Sequence, residues 1–354
     1  MNFTDQQLVL LLLRDSNNLS NEERLSIKKS YSIHGRESFK RIIETNKIYP
    51  FAAHILCSLD CDSDYWNTIH ENFINRNKSI TILLNTLFQK SKILGVKSLT
   101  LTENFASVLS SDSCIGCFSS GDVDLSASID EKELIISSME SIGFLVFKRK
   151  KSANISDKQC LMFFNDELFG SGFWFNVVWT PVTRDYFYQE KYKMRLNSDR
   201  LFNTNLIKDT SIKVLSDTSL LYFCCLHIAS GHYYTLSPGI RLFVDIDRLI
   251  RSKNIHWSNI LNWENEDDAG IRISMTLYLC HKLLKTPIPD VFYNKLSSNK
   301  LSIILLKFLY NDVTKEINYK SSNLHRLFIE LLSNHRNRYF LLINDLIKLL
   351  FSKV

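Results

Sequence analysis

Five residues, Gly121-Asp122-Val123-Asp124-Leu125, constrain the fold of this chain more than the rest of its sequence does. Apolar Val123 and Leu125 alternate with polar residues, which is the two-residue period of a β-strand that lies on a core. Asp122 and Asp124 then project from the same face of that strand. Two carboxylates so close together repel each other unless a cation lies between them. The motif therefore predicts a sheet with a cation-binding position.

A carboxylate pair of this kind suits Mg²⁺, which binds oxygen ligands and commonly shares them with substrate phosphates. Mn²⁺ accepts similar ligands. Such ions stabilise the attacking and leaving oxygens in phosphoryl transfer. Gly121 leaves space beside the pair for phosphates to approach. Acidic residues also alternate along exposed strands that bind no metal, so the motif alone leaves both interpretations open.

The predicted fold class is α+β, with a small mixed β-sheet core between two helical regions. Apolar residues at three-to-four spacing predict helices at 6–13, 21–31, 35–46, 49–59 and 65–94, and again at 216–230 and 239–252. Two-residue alternation predicts strands at 118–128, 144–147, 159–164 and 172–179, with a hairpin turn at 165–170 and a helix at 131–142. The predicted regions are 1–92 (helical), 93–205 (α/β core) and 206–354 (helical).

Bulk composition favours a cytoplasmic protein with no membrane partner. The net charge of +6 is compatible with a polyanionic substrate without requiring one. The apolar stretch 339–351 is too short to span a bilayer and contains Asp345 and Lys348. The eight cysteines are expected to be reduced, since no signal peptide is recognisable. The oligomeric state is left open.

Cys114-Ile-Gly-Cys117 has the spacing of a redox pair or of half a zinc site. Neither a second CxxC nor a paired-histidine motif accompanies it, so the sequence favours an interpretation without zinc.

A turn at Lys97-Ser98 is a second candidate for phosphate binding. Gly95-Val96-Lys97 would end a short strand and Ser98 would cap a helix over 99–109. The free N–H groups of such a turn, with the Lys97 ammonium, can bind an anion. The alternative is that Ser98 only caps the helix and that Lys97 is only a solvated side chain.

The order of these elements resembles an uncharacterised nucleotidyltransferase family of the DNA polymerase β-like superfamily. Segment 93–99 is similar to its strand ending in Leu-Lys-Gly, and 120–125 to its Asp-hydrophobic-Asp strand preceded by Ser-Gly. The resemblance covers roughly residues 35–255. It implies Mg²⁺-dependent transfer of a nucleoside monophosphate from an NTP to an acceptor. Asp122 and Asp124 would bind the metal.

The resemblance also implies a set of nucleotide-binding residues around this pair: Lys97, Ser98, Ser120, Gly121, His227, His232, Arg241 and Asp245. His227 and His232, five residues apart, share a helix face only if the helix ends near Ser230-Gly231. Structural roles remain the alternative for both histidines and for Asp245.

Two departures from the family pattern put catalysis in question. Asn176 stands where the family's third metal carboxylate is expected, and Phe118 stands where an arginine is frequent. Asn176 can ligate a metal through its carbonyl oxygen but is a poor base. Asp166 or Glu167 would replace the missing carboxylate only if the predicted hairpin folds back.

The acceptor is left open among a protein, a peptide, an RNA end and a small molecule. A catalytically degenerate protein that binds a nucleotide or a partner is one alternative function. A tRNA-modifying toxin of a toxin–antitoxin pair is another. The basic run 148–151 is either an acceptor-binding patch or a solvated turn, and the aromatic residues within 186–192 either stack on bases or pack on the surface.

Overall fold

The computed structural model describes residues 5–111, 113–118, 120–147, 160–180, 186–189, 194–232, 234, 239–297, 300, 303–304 and 343. The basic run 148–151, the aromatic side chains within 186–192 and most of the segment beyond residue 297 lie outside this description.

Four helices form the N-terminal part: α1 (Asp5–Leu12), α2 (Asn21–Asn46), α3 (Tyr49–Ser58) and α4 (Ser63–Ile93). A capping box between Ser20 and Glu23 starts α2. The two helices predicted at 21–31 and 35–46 meet within α2 at Gly35, where the backbone is not helical and the chain kinks. The φ of 71° at this residue is accessible mainly to glycine.

A seven-stranded mixed sheet follows. Its strands are β1 (Thr100–Leu101), β2 (Asp122–Ser128), β3 (Leu145–Val146), β4 (Cys160–Asn165), β5 (Phe173–Thr180), β8 (Thr204–Leu206) and β9 (Lys213–Leu215), in the order β3-β4-β5-β2-β1-β9-β8. A separate hairpin pairs β6 (Tyr186–Gln189) with β7 (Met194–Asn197). The strands predicted around 144–179 and the α+β fold class are confirmed. The predicted region boundaries remain a prediction.

The remaining helices are α5 (Glu103–Ser110), α6 (Lys132–Glu140), α7 (Asp199–Phe202), α8 (Asp217–Leu226), α9 (Leu242–Ser252), α10 (Trp257–Glu266), α11 (Arg272–Leu284) and α12 (Asp290–Ser297). A π-helical turn, His227–Gly231, continues α8. Helix α5 packs against β2 on one side and against α8 and α9 on the other, so it joins the sheet to the C-terminal helices. Among the described residues, no helix is both long enough and apolar enough to cross a bilayer.

The central strands bury one face as the two-residue period predicts. Parallel pairing sets Val123 beside Phe175 and Leu125 beside Val177, and all four side chains are fully buried. Each contributes roughly 1.5–3 kcal/mol of burial free energy. A one-residue slip would turn these side chains to the other face of the sheet, so their burial specifies a single register.

Two sequence predictions near the sheet are wrong in position. The short strand lies at Thr100–Leu101 rather than at 95–97, and α5 begins at Glu103 after Thr102, so Ser98 is not its cap. Ser128 caps the short 3₁₀ turn, Ile129–Glu131, that precedes α6.

Candidate active site

The two aspartates of β2 face an asparagine on the neighbouring strand. In the parallel register of β2 and β5, Asp122 pairs with Trp174 and Asp124 with Asn176. Asn176 Nδ2 lies 2.9 Å from Asp122 Oδ2 and 3.4 Å from Asp124 Oδ1. The structure thus places Asn176 beside the carboxylate pair, at the third position that the sequence assigned to it.

These three side chains lie at the edge of the interior. Asp124 is buried at 6% exposure, whereas Asp122 and Asn176 are half-buried. The Ser120 hydroxyl hydrogen-bonds Asp122 Oδ1. Asn176 Oδ1 is buried and has no hydrogen-bond partner among the described residues. A buried carbonyl oxygen without a partner is costly, and a bound cation is one way to satisfy it.

The donor set fits a hard divalent cation. Two carboxylates and one amide oxygen are the oxygen ligands that Mg²⁺ prefers. A half-turn of the nearly isosteric Asn176 amide would present Oδ1 in place of Nδ2. Within the described part of the chain, no third carboxylate, imidazole or thiol joins the pair with ligand atoms within 4.8 Å.

Asp166 and Glu167 do not supply the missing carboxylate. Both are exposed, in the turn between β4 and β5. Because β4 pairs with the edge of β5 opposite to β2, this turn lies on the far side of β5 from Asp122 and Asp124.

The start of α5 closes over the carboxylate pair. Asn104 Nδ2 donates to Asp124 Oδ2 at 3.3 Å, and the N–H of Thr102 donates to the Asp124 carbonyl oxygen at 3.0 Å. Glu103, between them, is buried at 3% exposure and has a left-handed φ of 56°. That conformation favours glycine. The strand-to-helix turn beside the carboxylate pair is therefore Leu101-Thr102-Glu103, whereas the sequence predicted such a turn at Lys97-Ser98.

Glu103 contacts the histidine pair. Its Oε2 lies 2.5 Å from His227 Nδ1, and His227 Nε2 lies 2.8 Å from His232 Nε2. The π-helical turn brings the two imidazoles together, since five residues make little more than one turn of a π-helix. His227 is buried and His232 is exposed. Sequence reasoning missed Glu103. The available signal was a glutamate directly after a buried strand.

Asp245 belongs to the same cluster through α5. The Ser107 hydroxyl donates to Asp245 Oδ1 at 2.7 Å, and Arg248 Nη1 lies 3.4 Å from the same oxygen. Burial raises the pKa of Asp245, and the positive charges of Arg248 and Arg241 oppose that rise. His227, Arg241 and Asp245 are thus brought together as the sequence resemblance implied, behind the carboxylate pair rather than within it.

Lys97 and Ser98 are not part of this cluster. The two backbone N–H groups donate to the carboxylate of Glu131, each at 3.0 Å, and are therefore occupied. Ser98 Oγ accepts from the N–H of Ser128, at the end of β2 opposite to Asp122. The seven residues of β2 separate the two ends by roughly 20 Å. Phosphate binding by Lys97 and Ser98 stays a prediction, and both N–H groups would have to leave Glu131 to take part in it.

An arginine from α4 approaches the carboxylate pair instead. Arg76 Nη2 donates to the Ser120 carbonyl oxygen at 2.7 Å, and its guanidinium stacks over Phe169 and Phe173. Burial lowers the pKa of Arg76. Phe118, at the position where the family frequently has arginine, is buried against Phe105 with ring centroids 4.7 Å apart. Sequence spacing gave no indication of Arg76, because α4 lies far from β2 in the chain.

The paired carboxylates on a central strand, beside an asparagine on its parallel neighbour, define a nucleotidyltransferase-like core. The model of a family described as uncharacterised nucleotidyltransferase matches residues 36–285, well over half of the chain. The protein belongs to that family. No curated protein and no solved structure matches the chain.

Proposed function

We propose that the protein is a Mg²⁺-dependent nucleotidyltransferase that moves a nucleoside monophosphate from an NTP to an acceptor. The observation that carries the proposal is the β2–β5 register, which places Asp122, Asp124 and Asn176 side by side. Family membership supports nucleotidyl transfer in general. Mg²⁺, where bound, supplies charge neutralisation for the triphosphate and for the leaving pyrophosphate.

The residues around the pair divide the binding task. Asp122 and Asp124 hold the cation, and Asn176 contributes its carbonyl oxygen. Ser120 orients Asp122 through its hydroxyl. A Cβ built on Gly121 meets no atom within 4 Å, so an open space for phosphates adjoins the pair. Arg76, one contact away at Ser120, supplies positive charge on that side.

Transfer to a hydroxyl acceptor also needs a group that takes up the proton. Asn176 cannot do so, since an amide is not basic. We assign this role to the His227–His232 pair. The exposed His232 takes up the proton, and His227, which Glu103 contacts through Nδ1, orients His232 through the contact between their Nε2 atoms. A carboxylate that orients an imidazole is a recurrent arrangement of a general base.

One observation favours a second candidate function, nucleotide or partner binding without transfer. The Asn176 amide donates to both carboxylates and so relieves their repulsion without a cation. A protein held in this state would bind its partner equally well with or without Mg²⁺.

The deciding experiment incubates the full-length protein with each of the four α-³²P-labelled NTPs, Mg²⁺ and cell lysate, and then separates protein, RNA and small molecules. Label in one fraction identifies the acceptor class. The Asp122→Asn/Asp124→Asn variant should give no labelling. The Asp130→Asn variant, which changes an exposed aspartate just beyond β2, should label normally. Absence of labelling together with metal-independent nucleotide affinity would establish the binding function instead.

A further inference from the structure

We propose that His54, His70, Cys114 and Cys117 form a structural zinc site that fastens the loop before β2 to helices α3 and α4. His54 lies on α3, His70 lies on α4, and both cysteines lie in the loop between α5 and β2. The argument for this site does not rest on the proposed transfer reaction.

The ligand atoms are already at metal-binding separations. His54 Nδ1 lies 3.4 Å from His70 Nε2, and Cys114 Sγ lies 3.4 Å from the same Nε2. All three ligand atoms lie within 4.8 Å of one another. A tetrahedral zinc ion with ordinary bond lengths separates two nitrogens by about 3.3 Å, and a nitrogen from a sulfur by about 3.6 Å. The observed distances match the edges of such a tetrahedron.

We assign Cys117 as the fourth ligand. It is buried, with Sγ 4.0 Å from the Pro50 carbonyl oxygen, and it lines the same cavity as His54 and Cys114. Its Sγ lies outside the group of three ligand atoms, so its side chain must turn towards the ion to complete the set. Two cysteines separated by two residues, with two histidines from elsewhere, make the Cys₂His₂ set of closed structural zinc sites. Nitrogen and sulfur donors select zinc over Mg²⁺, so this site and the carboxylate pair bind different metals.

The loop is shaped to lie against the His70 imidazole. A Cβ on Gly116 would come within 2.7 Å of His70 Cε1 and 2.8 Å of Ile74 Cγ1, so only glycine permits this approach. Asn77, further along α4, donates to the carbonyl oxygens of Ile115 and Phe118 at 2.7 and 3.1 Å. One face of α4 therefore contacts the loop at Ile115, Gly116 and Phe118, and the proposed metal would add a further link between them.

A cavity of about 300 Å³ gives the metal a path to this site. Its lining includes His54, Cys114 and Cys117, together with Asp15, Asp247 and Arg248. The loop itself continues from Cys117 through Ser120 to Asp122. Zinc at this place would thus fix the point at which β2 begins, and with it the position of the carboxylate pair.

The test measures metal in the full-length protein, purified without an affinity tag that binds metal. Elemental analysis should find about one zinc per chain. Replacement by Co²⁺ should give the absorption of a tetrahedral site, including thiolate-to-cobalt charge transfer in the near ultraviolet. Cys114→Ser and His70→Asn should each lower zinc content at least tenfold, and Cys117→Ser should halve the charge-transfer intensity. The control, Cys160→Ser on β4, should keep the full content.

If a variant fails to fold, a zinc titration of the wild-type protein serves as the test. Zinc removed from the folded wild-type protein by a chelator should return with one equivalent of added Zn²⁺, accompanied by a rise in Tm. A chain that takes up no zinc under reducing conditions overturns the proposal. A Cys114–Cys117 disulfide in protein purified without reductant, together with no zinc uptake after reduction, would assign the pair to redox chemistry. Since no readout involves an NTP, failure here leaves the proposed transfer reaction untouched.

Discussion

Asn176 Nδ2 lies 2.9 Å from Asp122 Oδ2, across the parallel boundary between β5 and β2. An amide thus stands where a third acidic oxygen would complete the charge of a two-metal site. The site carries two formal negative charges from Asp122 and Asp124, and the amide adds none. In the proposed reaction, metal binding and proton acceptance would therefore fall to different residues, because an amide cannot take up the proton.

Asn176→Asp should strengthen Mg²⁺ binding and raise nucleotide transfer by about tenfold at low Mg²⁺, because a carboxylate attracts the ion more strongly than an amide oxygen does. The gain should shrink as Mg²⁺ approaches saturation. The measurement is the transfer rate at several Mg²⁺ concentrations, with Asn176→Ala as the comparison. A wild type faster than Asn176→Asp at every concentration would contradict the assignment of Asn176 as a ligand.

Glu103→Gln should slow transfer and leave the affinity for the NTP–Mg²⁺ complex unchanged. The amide keeps the size of the buried side chain but removes the charge that orients His227, and through it the proposed base His232. Single-turnover kinetics separates the two effects, and the pH–rate profile should change shape with the variant. Equal rates for wild type and variant across the profile would remove Glu103 and His227 from the mechanism.

Gly121→Ala should fold normally and bind NTP more weakly. No atom lies within 4 Å of the added methyl group, so the free energy of unfolding should change by less than about 0.5 kcal/mol. The methyl group would instead occupy the space assigned to the phosphates. Calorimetric titration with NTP and Mg²⁺ measures the loss, and unchanged affinity would place the phosphates elsewhere.

Gly116→Ala, five residues earlier, tests a glycine at which an added methyl group has no room. The added methyl group overlaps the His70 ring, and relieving such an overlap costs roughly 1–3 kcal/mol. We expect a lower Tm, together with lower zinc content if the proposed site exists. Gly121→Ala is the matched control, because it makes the same change on the same loop without an overlap. Equal Tm values for the two variants would argue against the described approach of loop and helix.

Asp245→Asn should flatten the dependence of stability on pH. Burial raises the pKa of Asp245 above its ordinary value of 3.8, so the folded chain retains a proton that the unfolded chain has released. The resulting stabilisation is complete below the unfolded pKa and is lost as the pH rises through the folded pKa. As the pH rises from below 3.8, denaturation midpoints should fall more for the wild type than for the variant. The exposed Asp209→Asn variant serves as the control.

Periodicity predicted most of the elements because each buries its own repeating face. The N-terminal helices, β2, β4 and β5 lie within a few residues of the predicted positions, and so does Asn176. The strand-to-helix turn was misplaced because Val96 and Leu99 are apolar and buried like Leu101, so the apolar pattern did not mark where β1 begins. Residue type at a turn also misleads: Glu103 occupies a left-handed position that favours glycine.

Contacts between distant segments could not be predicted from spacing. Arg76 reaches Ser120 from α4, and Glu103 reaches His227 from the start of α5. His54 and His70 meet Cys114 only because α3 and α4 pack against each other. The sequence interpretation without zinc depended on the absence of a paired-histidine motif. It could not anticipate that the packing of α3 against α4 brings His54 and His70 together.

The π-helical turn, His227–Gly231, brings two histidines that are five residues apart to the same side of the helix. In an α-helix, residues five apart differ by about 140° in direction, and the two imidazoles would diverge. Deleting Ala229 would leave the histidines four residues apart, which in an α-helix is about 40° in direction, so a regular helix would then keep them on one face. The π-helical turn thus accommodates one more residue than an α-helical turn could while the two rings stay in contact.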